Sequence, residues 1–260
     1  MNKKNNSRAR RKTTPGISSA APHARTHSLA TRAYLEIRNQ ILKGELPVGV
    51  ALSRRKLATE LNISVPPVME ALQHLERDGL VESKPRVGTR VRVPTRQDIE
   101  DRSLVREALE TQAARLFAER AMPAEKKELR AMGQRVDQLY AACEKSSDRE
   151  FLFSVNTYHM NLHLHIAECA RCPALRDAIE KEQVLIFNWL FDTAVERREL
   201  GSDFHSCLTD ALASGTPDQA AKAMRQHIRH GLNEVLAALA NLCDGGNETG
   251  WRHKKIAVGG

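Results

Sequence analysis

Residues 53–80 read SRRKLATELNISVPPVMEALQHLERDGL. Two helical periods flank Asn62-Ile63-Ser64, a break long enough only for a tight turn. Ser53 reads as the N-cap of the first helix, with Leu57, Ala58 and Leu61 pointing inward. Ser64 reads as the cap of the second, whose apolar side is Val68, Leu72 and Leu75. Pro66 and Pro67 fall in its first turn, where a missing N–H is tolerated. Asp78–Gly79 stops it, and the small Ala58 lets the two helices cross closely.

Upstream, LATRAYLEIRNQILKGEL places Ala33, Ile37 and Ile41, with Tyr34 and Leu42, on one helical face that ends at Lys43–Gly44. LPVGVALS is a short extended link. Downstream, LVESKPRVGTRVRVP alternates as strands do and turns around Pro85–Gly88. Helix, helix, turn, helix and a two-stranded hairpin make a winged helix-turn-helix over 29–95.

Residues 1–97 hold 19 Lys and Arg against 7 Asp and Glu, while 98–260 hold 21 against 25. A basic front and a mildly acidic back suggest a polyanion-binding part joined to one with another job. Residues 1–28 read as a disordered basic arm, either touching DNA phosphates or forming a solvated tail. From 96 to 242 the periods are helical, near 98–121, 123–145, 149–170, 173–194, 203–214 and 217–241. Pro123, Pro173 and Pro217 fall near helix starts. The fold class is therefore mainly α: the winged domain followed by an all-α antiparallel bundle, then a flexible tail over 243–260.

No apolar run reaches the roughly 18–20 residues that span a bilayer, and no apolar segment follows the N-terminal cations. Five cysteines, an odd number, suggest reduced thiols and a cytoplasmic protein. Cys169 and Cys172 form a lone CxxC, read either as packing residues or as half of a zinc site.

In a helix-turn-helix the third helix reads base edges while Arg and Lys hold phosphates. Its candidate contacts here are Ser64, Val65, Pro67, Met69, Gln73 and His74, and it carries no Lys or Arg between Ser64 and Glu76. Arg54, Arg55 and Lys56 open the preceding helix, and Arg86, Arg90 and Arg92 lie on the wing, where Gly88 permits a tight turn. These flanks would anchor a double-stranded DNA operator, leaving apolar or indirect readout to the helix.

The segment resembles the DNA-binding domain of the GntR family of bacterial transcription regulators. Gly44–Gly49 loosely matches the family's G-x-L-x-P-G, Leu57–Leu61 its L-A-x-x-L, and Leu75–Val81 its L-x-x-x-G-L-V. Ser64–Leu72 matches S-R-x-P-V-R-E-A-L, with Val65 and Met69 where the family has Arg; Arg55 is retained. The back half resembles the FadR-like subgroup, through Arg106–Glu110, LHLHIAECARCPAL and the stretch from His205 to His227. That resemblance implies a helical effector domain, a homodimer, and a small organic acid bound beside a metal. Arg106 is then the effector's anion partner or a structural ion pair with Glu110.

His163, His205 and His227 fall on three different predicted helices, with His159 one turn before His163. Converging neutral imidazoles suit Zn²⁺ or Ni²⁺; otherwise they are surface or hydrogen-bonded core histidines. His159 stands where the family commonly has Asp. His74, His165 and His230 are expected to face elsewhere. The leading reading is a metabolite-controlled regulator, with repression as its mode; the alternative is a sensor of the metal itself. With no nucleophile motif and no cofactor loop, the chain does not read as an enzyme.

Overall fold

The computed structural model describes residues 28–143, 148–182 and 203–244. The arm over 1–27, the tail from 245 and the expected helical stretch 183–194 lie outside them. The winged domain runs α1 (Leu29–Leu42), β1 (Ala51–Leu52), α2 (Arg54–Glu60), α3 (Val65–Arg77), β2 (Val81–Lys84) and β3 (Gly88–Val91). α1 buries Ala33, Ile37, Ile41 and Leu42 on the expected face. Leu57 and Ala58 of α2 meet Val68, Ala71, Leu72 and Leu75 of α3 in the same core.

Two local expectations need correction. The wing is a three-stranded sheet of order β1-β3-β2, not a two-stranded hairpin. The link supplies β1, with Ala51 opposite Arg90 and Leu52 opposite Thr89. This extra strand satisfies backbone groups that β3 would otherwise leave open on its second edge. Ser64 does sit at the N-cap of α3, but its side chain makes no capping hydrogen bond. A capping hydroxyl accepts from the N–H two or three residues on. Those positions are Pro66 and Pro67, which have none.

The bundle comprises α4 (Arg96–Arg120), α5 (Pro123–Cys143), α6 (Arg149–Cys169), α8 (Phe204–Ser214) and α9 (Pro217–Asp244), with a further helix, α7, described over 173–182. Thr95 and Asp98 form a capping box at the start of α4, so the wing runs almost directly into the bundle. α4 and α9 are antiparallel: Glu107 pairs with Arg229 at 2.8 Å, and Arg115 with Asp218. Ala113, Phe117, Leu129, Leu162, Ile166, Leu212 and Met224 share the bundle core.

The winged domain's core also continues into the bundle. Ile99 of α4 and Val235 of α9 are buried in it, and Phe153 and Met160 of α6 and Leu232 and Leu236 of α9 pack against it. Lys43 at the end of α1 adds an ion pair to Glu150 at 3.4 Å and lies over the Phe153 ring. Among the described residues, no helix is long and apolar enough to cross a membrane.

Candidate functional site

The first candidate surface is the winged domain's outer face. On α3 and its N-cap the exposed side chains are Ser64, Pro66, Met69, Glu70, Gln73, His74, Glu76 and Arg77. Val65 and Pro67, singled out from sequence, are only partly exposed, and Val65 packs against the core. Pro66 takes the outward place expected of Pro67, a one-residue shift that turns a helical side chain by about 100°.

Arg54, Arg55 and Lys56 are exposed in the first turn of α2, which holds no acidic residue. Cations at the positive end of a helix dipole are locally unfavourable. A polyanion bound there would remove the conflict. On the wing, Arg86 and Gly88 are exposed, with φ of 65° and 105°. Arg90 is committed to Glu82, its cross-strand partner, and Arg92 to Asp98 at 2.5 Å. Of the wing arginines, Arg86 is the one presented outward without an ion pair among the described residues.

The second candidate site is a histidine cluster inside the bundle. His159 and His163 come from α6, His205 from α8 and His227 from α9. The ligand atoms of His159, His205 and His227 lie within 4.8 Å of one another. His163 Nε2 is 3.0 Å from His159 Nε2 and 3.2 Å from His227 Nε2. Three of the four sequence-predicted histidines, His159, His205 and His227, therefore share one metal-sized spot, and His163 adjoins two of them.

Second partners orient the rings. Asp137 of α5 accepts from His205 Nδ1 at 2.8 Å and from the backbone N–H of His205 and Ser206. Glu110 of α4 holds His163 Nδ1, and the Tyr140 hydroxyl lies 3.0 Å from His159 Nδ1. Carboxylates on the Nδ1 protons of His163 and His205 leave Nε2 lone pairs facing inward. Lone pairs converging in a buried space repel unless a proton or cation lies among them. The donor set therefore fits a divalent ion with nitrogen ligands, and the carboxylate-backed imidazoles are the usual outer shell of such a centre.

Electrostatics agree. Burial, then His205, His163 and His227, push the His159 imidazole well below its usual 6.5. Burial, then His163 and His205, do the same to His227. Burial lowers His205 against the pull of Asp137. Burial alone would raise Glu110, but Arg106 and His163 override it and hold the carboxyl at about 2. Asp137 is likewise brought to about 2, as hydrogen bonds from His205 and Ser206 outweigh its burial. Imidazoles held neutral at His159, His205 and His227, with the Asp137 carboxylate behind His205, are ready to bind a cation without first losing a proton.

The model for bacterial regulatory proteins of the gntR family matches residues 29–91, and that for the FCD domain matches 102–230. The chain belongs to the GntR family. Among curated relatives, it is 29% identical over 194 residues to the "Probable D-xylose utilization operon transcriptional repressor" of Paenarthrobacter nicotinovorans, covering 73% of this chain and 80% of that one. It is 24% identical to the HTH-type transcriptional repressor RspR of Escherichia coli K12, over 78% of this chain and 87% of that one. The solved structure of E. coli McbR/YncC superposes with a TM-score of 0.67 at 20% identity, over 82% of this chain and 100% of that one, which shows a shared fold.

This GntR protein is a transcription regulator, and the domains and relatives it matches are regulators rather than enzymes. Several residues of its candidate site were not legible beforehand. Asp137 and Tyr140 carry no motif and reach the cluster only because α5 packs on α8 and α6. His230, expected to face elsewhere, instead points inward: the Phe204 ring lies 4.7 Å from its ring and 5.1 Å from that of His227. Its one signal was the i+3 spacing from His227. Arg106 does pair with Glu110, the structural alternative, yet it also borders the cluster, lowering both His159 and His227. Cys169 is buried beside His165, and its thiol is pushed up to about 11 by burial and then Glu125, which suits a packing residue. Asn161 is exposed, Asn156 is buried, and Asn188 lies outside the described residues.

Proposed function

We propose that this protein is a cytoplasmic repressor that binds its operator as a homodimer and is controlled by a small carboxylate. The acid binds beside Zn²⁺ or Ni²⁺ held by His159, His163, His205 and His227. The observation that carries this reading is that His159, His163 and His227 meet at their Nε2 atoms and His205 joins His159 and His227, with three of the four rings backed at Nδ1 by Glu110, Asp137 or Tyr140. The metal supplies a positive charge and an open position for a carboxylate oxygen. Arg106 supplies a second cation at the rim.

Control reaches the DNA through α6 and α9. These helices carry three of the four histidines, and their Phe153, Met160, Leu232 and Leu236 pack against the winged domain's core. A shift at the cluster therefore moves the surface on which that domain rests. Repression is the mode in the names of two relatives. Leu104 and Val105, 68% and 44% exposed on α4, supply apolar surface for a second copy. Two winged domains then address a pseudo-palindrome.

Metal analysis of the purified protein, followed by mobility shifts with genomic fragments and a screen of organic acids, tests the proposal. Bound metal and an acid-dependent specific shift support it. A protein with no specific shift under any condition is not this regulator. A second reading, the metal as effector, is favoured by the same direct connection between the histidine helices and the winged domain. It is excluded when metal binds and operator affinity stays unchanged.

A further inference from the structure

α3 turns a narrow stripe away from the winged domain's core. Val68, Ala71, Leu72 and Leu75 define its buried side. At about 100° per residue, Pro66, Gln73 and Arg77 lie opposite them, flanked by Met69 and Glu70. Val65 is turned aside and packs against the core. The residues at the edges of the stripe are engaged within the domain. Glu76 accepts from the Ser83 backbone N–H at 2.8 Å, and the His74 ring stands edge-on to Tyr34 with centroids 6.2 Å apart. Arg77 closes the C-terminal end, its Nε 3.4 Å from the Gln73 carbonyl oxygen. Ahead of it the stripe offers a partner one thioether, one carboxylate and one amide: Met69, Glu70 and Gln73.

Charge decides what that partner is. Arg54, Arg55 and Lys56 are exposed on α2, which shares its core with α3, and Arg86 is exposed on the wing. Residues 1–97 hold 19 Lys and Arg against 7 Asp and Glu. Met69 is a large apolar side chain, 39% exposed, on a face bordered by these cations. That combination fits a polyanion with apolar points of its own. The major groove of double-stranded DNA has one such point, the C5-methyl group of thymine. The Gln73 amide both donates and accepts, which is the pattern that adenine presents at N6 and N7. Guanine presents two acceptors there, and from Val65 to Glu76 no Arg or Lys answers them. Glu70, an acceptor when ionised, opposes the guanine edge as well.

We infer that Met69 and Gln73 read A·T pairs directly, Met69 against a thymine methyl and Gln73 against an adenine edge, so that the operator half-site under α3 is built on A·T rather than G·C pairs. The two residues are one turn apart, about 6 Å along the axis. That is close to two base-pair rises of roughly 3.4 Å, so they address nearby pairs in one half-site. The inference rests on the operator binding proposed above. It adds which bases are selected and by which side chains, and it assigns the selection to direct contact rather than to DNA shape.

The test starts from a pool of random duplexes, selected with full-length protein with and without zinc and a panel of organic acids. In the enriched duplexes each thymidine is then replaced in turn by deoxyuridine, which removes the C5-methyl group and no base-pairing atom. At one position in each half-site the replacement should weaken binding about fourfold, the value of one buried methyl-sized group. Met69→Ala should bind the thymidine and deoxyuridine duplexes equally. Gln73→Ala should lose roughly tenfold of the preference for adenine at a nearby pair. Half-sites built on guanine overturn the inference. So does wild-type protein that is indifferent to every deoxyuridine replacement, or a methyl preference that survives Met69→Ala. These outcomes leave operator binding standing, whereas a pool from which no sequence is enriched sinks operator binding and the inference together.

Discussion

Ser64 shows how two neighbours change what a residue does. Its hydroxyl sits at a helix N-cap, yet Pro66 and Pro67 have removed the N–H groups it would accept from. Ser64→Ala should therefore shift stability by no more than about 0.5 kcal/mol, against the roughly 1 kcal/mol usual for a lost cap. Denaturant unfolding would read this, and a loss near 1 kcal/mol would mean the hydroxyl caps the helix in solution. Asp137 is the opposite case, a side chain with four hydrogen bonds that gathers the His205 and Ser206 backbone and side chains. Asp137→Asn should lower metal affinity about 10- to 100-fold in a chelator competition, because the ring it holds loses both orientation and basicity. Equal affinities would show that His205 is not a ligand. His159 and His163 could be picked out from sequence by their one-turn spacing, and His205 and His227 by their register with the family resemblance. Asp137 could not, since nothing local distinguishes it from a solvated acid.

α5 and α8 cross closely at Gly133. A Cβ there would lie 2.4 Å from Thr209 Oγ1 and 3.0 Å from the His205 carbonyl oxygen. Gly133→Ala should destabilise the protein by about 1–3 kcal/mol, as overpacking does, and should disturb the His205–Asp137 contact one turn away. Unchanged unfolding by urea would argue against so tight a crossing. The helices were legible because prolines and caps mark their starts and apolar periods mark their inner faces. β1 was missed because Ala51 and Leu52 are too short to show alternation; it is a strand only because β3 offers an unpaired edge.

The charge arrangement of the whole molecule sets its response to pH. His159 and His227 have folded-state pKa values below the ordinary 6.5, so below about pH 6.5 the unfolded chain binds protons that the folded chain does not. Stability of the metal-free protein is therefore full above pH 6.5 and should fall as pH drops from 7 towards 5. Thermal melts over that range read it, and a flat profile would mean the imidazoles are already solvated. Glu110 and Asp137, both held near 2, add a second loss as pH falls from about 4 towards 2.

Local chemistry dictates much of this protein before any folding is considered. Caps, prolines, glycines and apolar periods are properties of neighbouring residues, so the winged helix-turn-helix, the bundle helices and the facing histidines can all be read along the chain. Which carboxylates stand behind which rings, and how the winged domain's core runs into α6 and α9, depend on residues far apart in the chain. Their distances are set only when the helices pack. Arg90 and Arg106 show the difference: Arg90 reads as a phosphate-binding cation in the sequence and is held by Glu82 once the fold has formed, while for Arg106 the sequence leaves the pair with Glu110 as one of two readings and the packed helices form it.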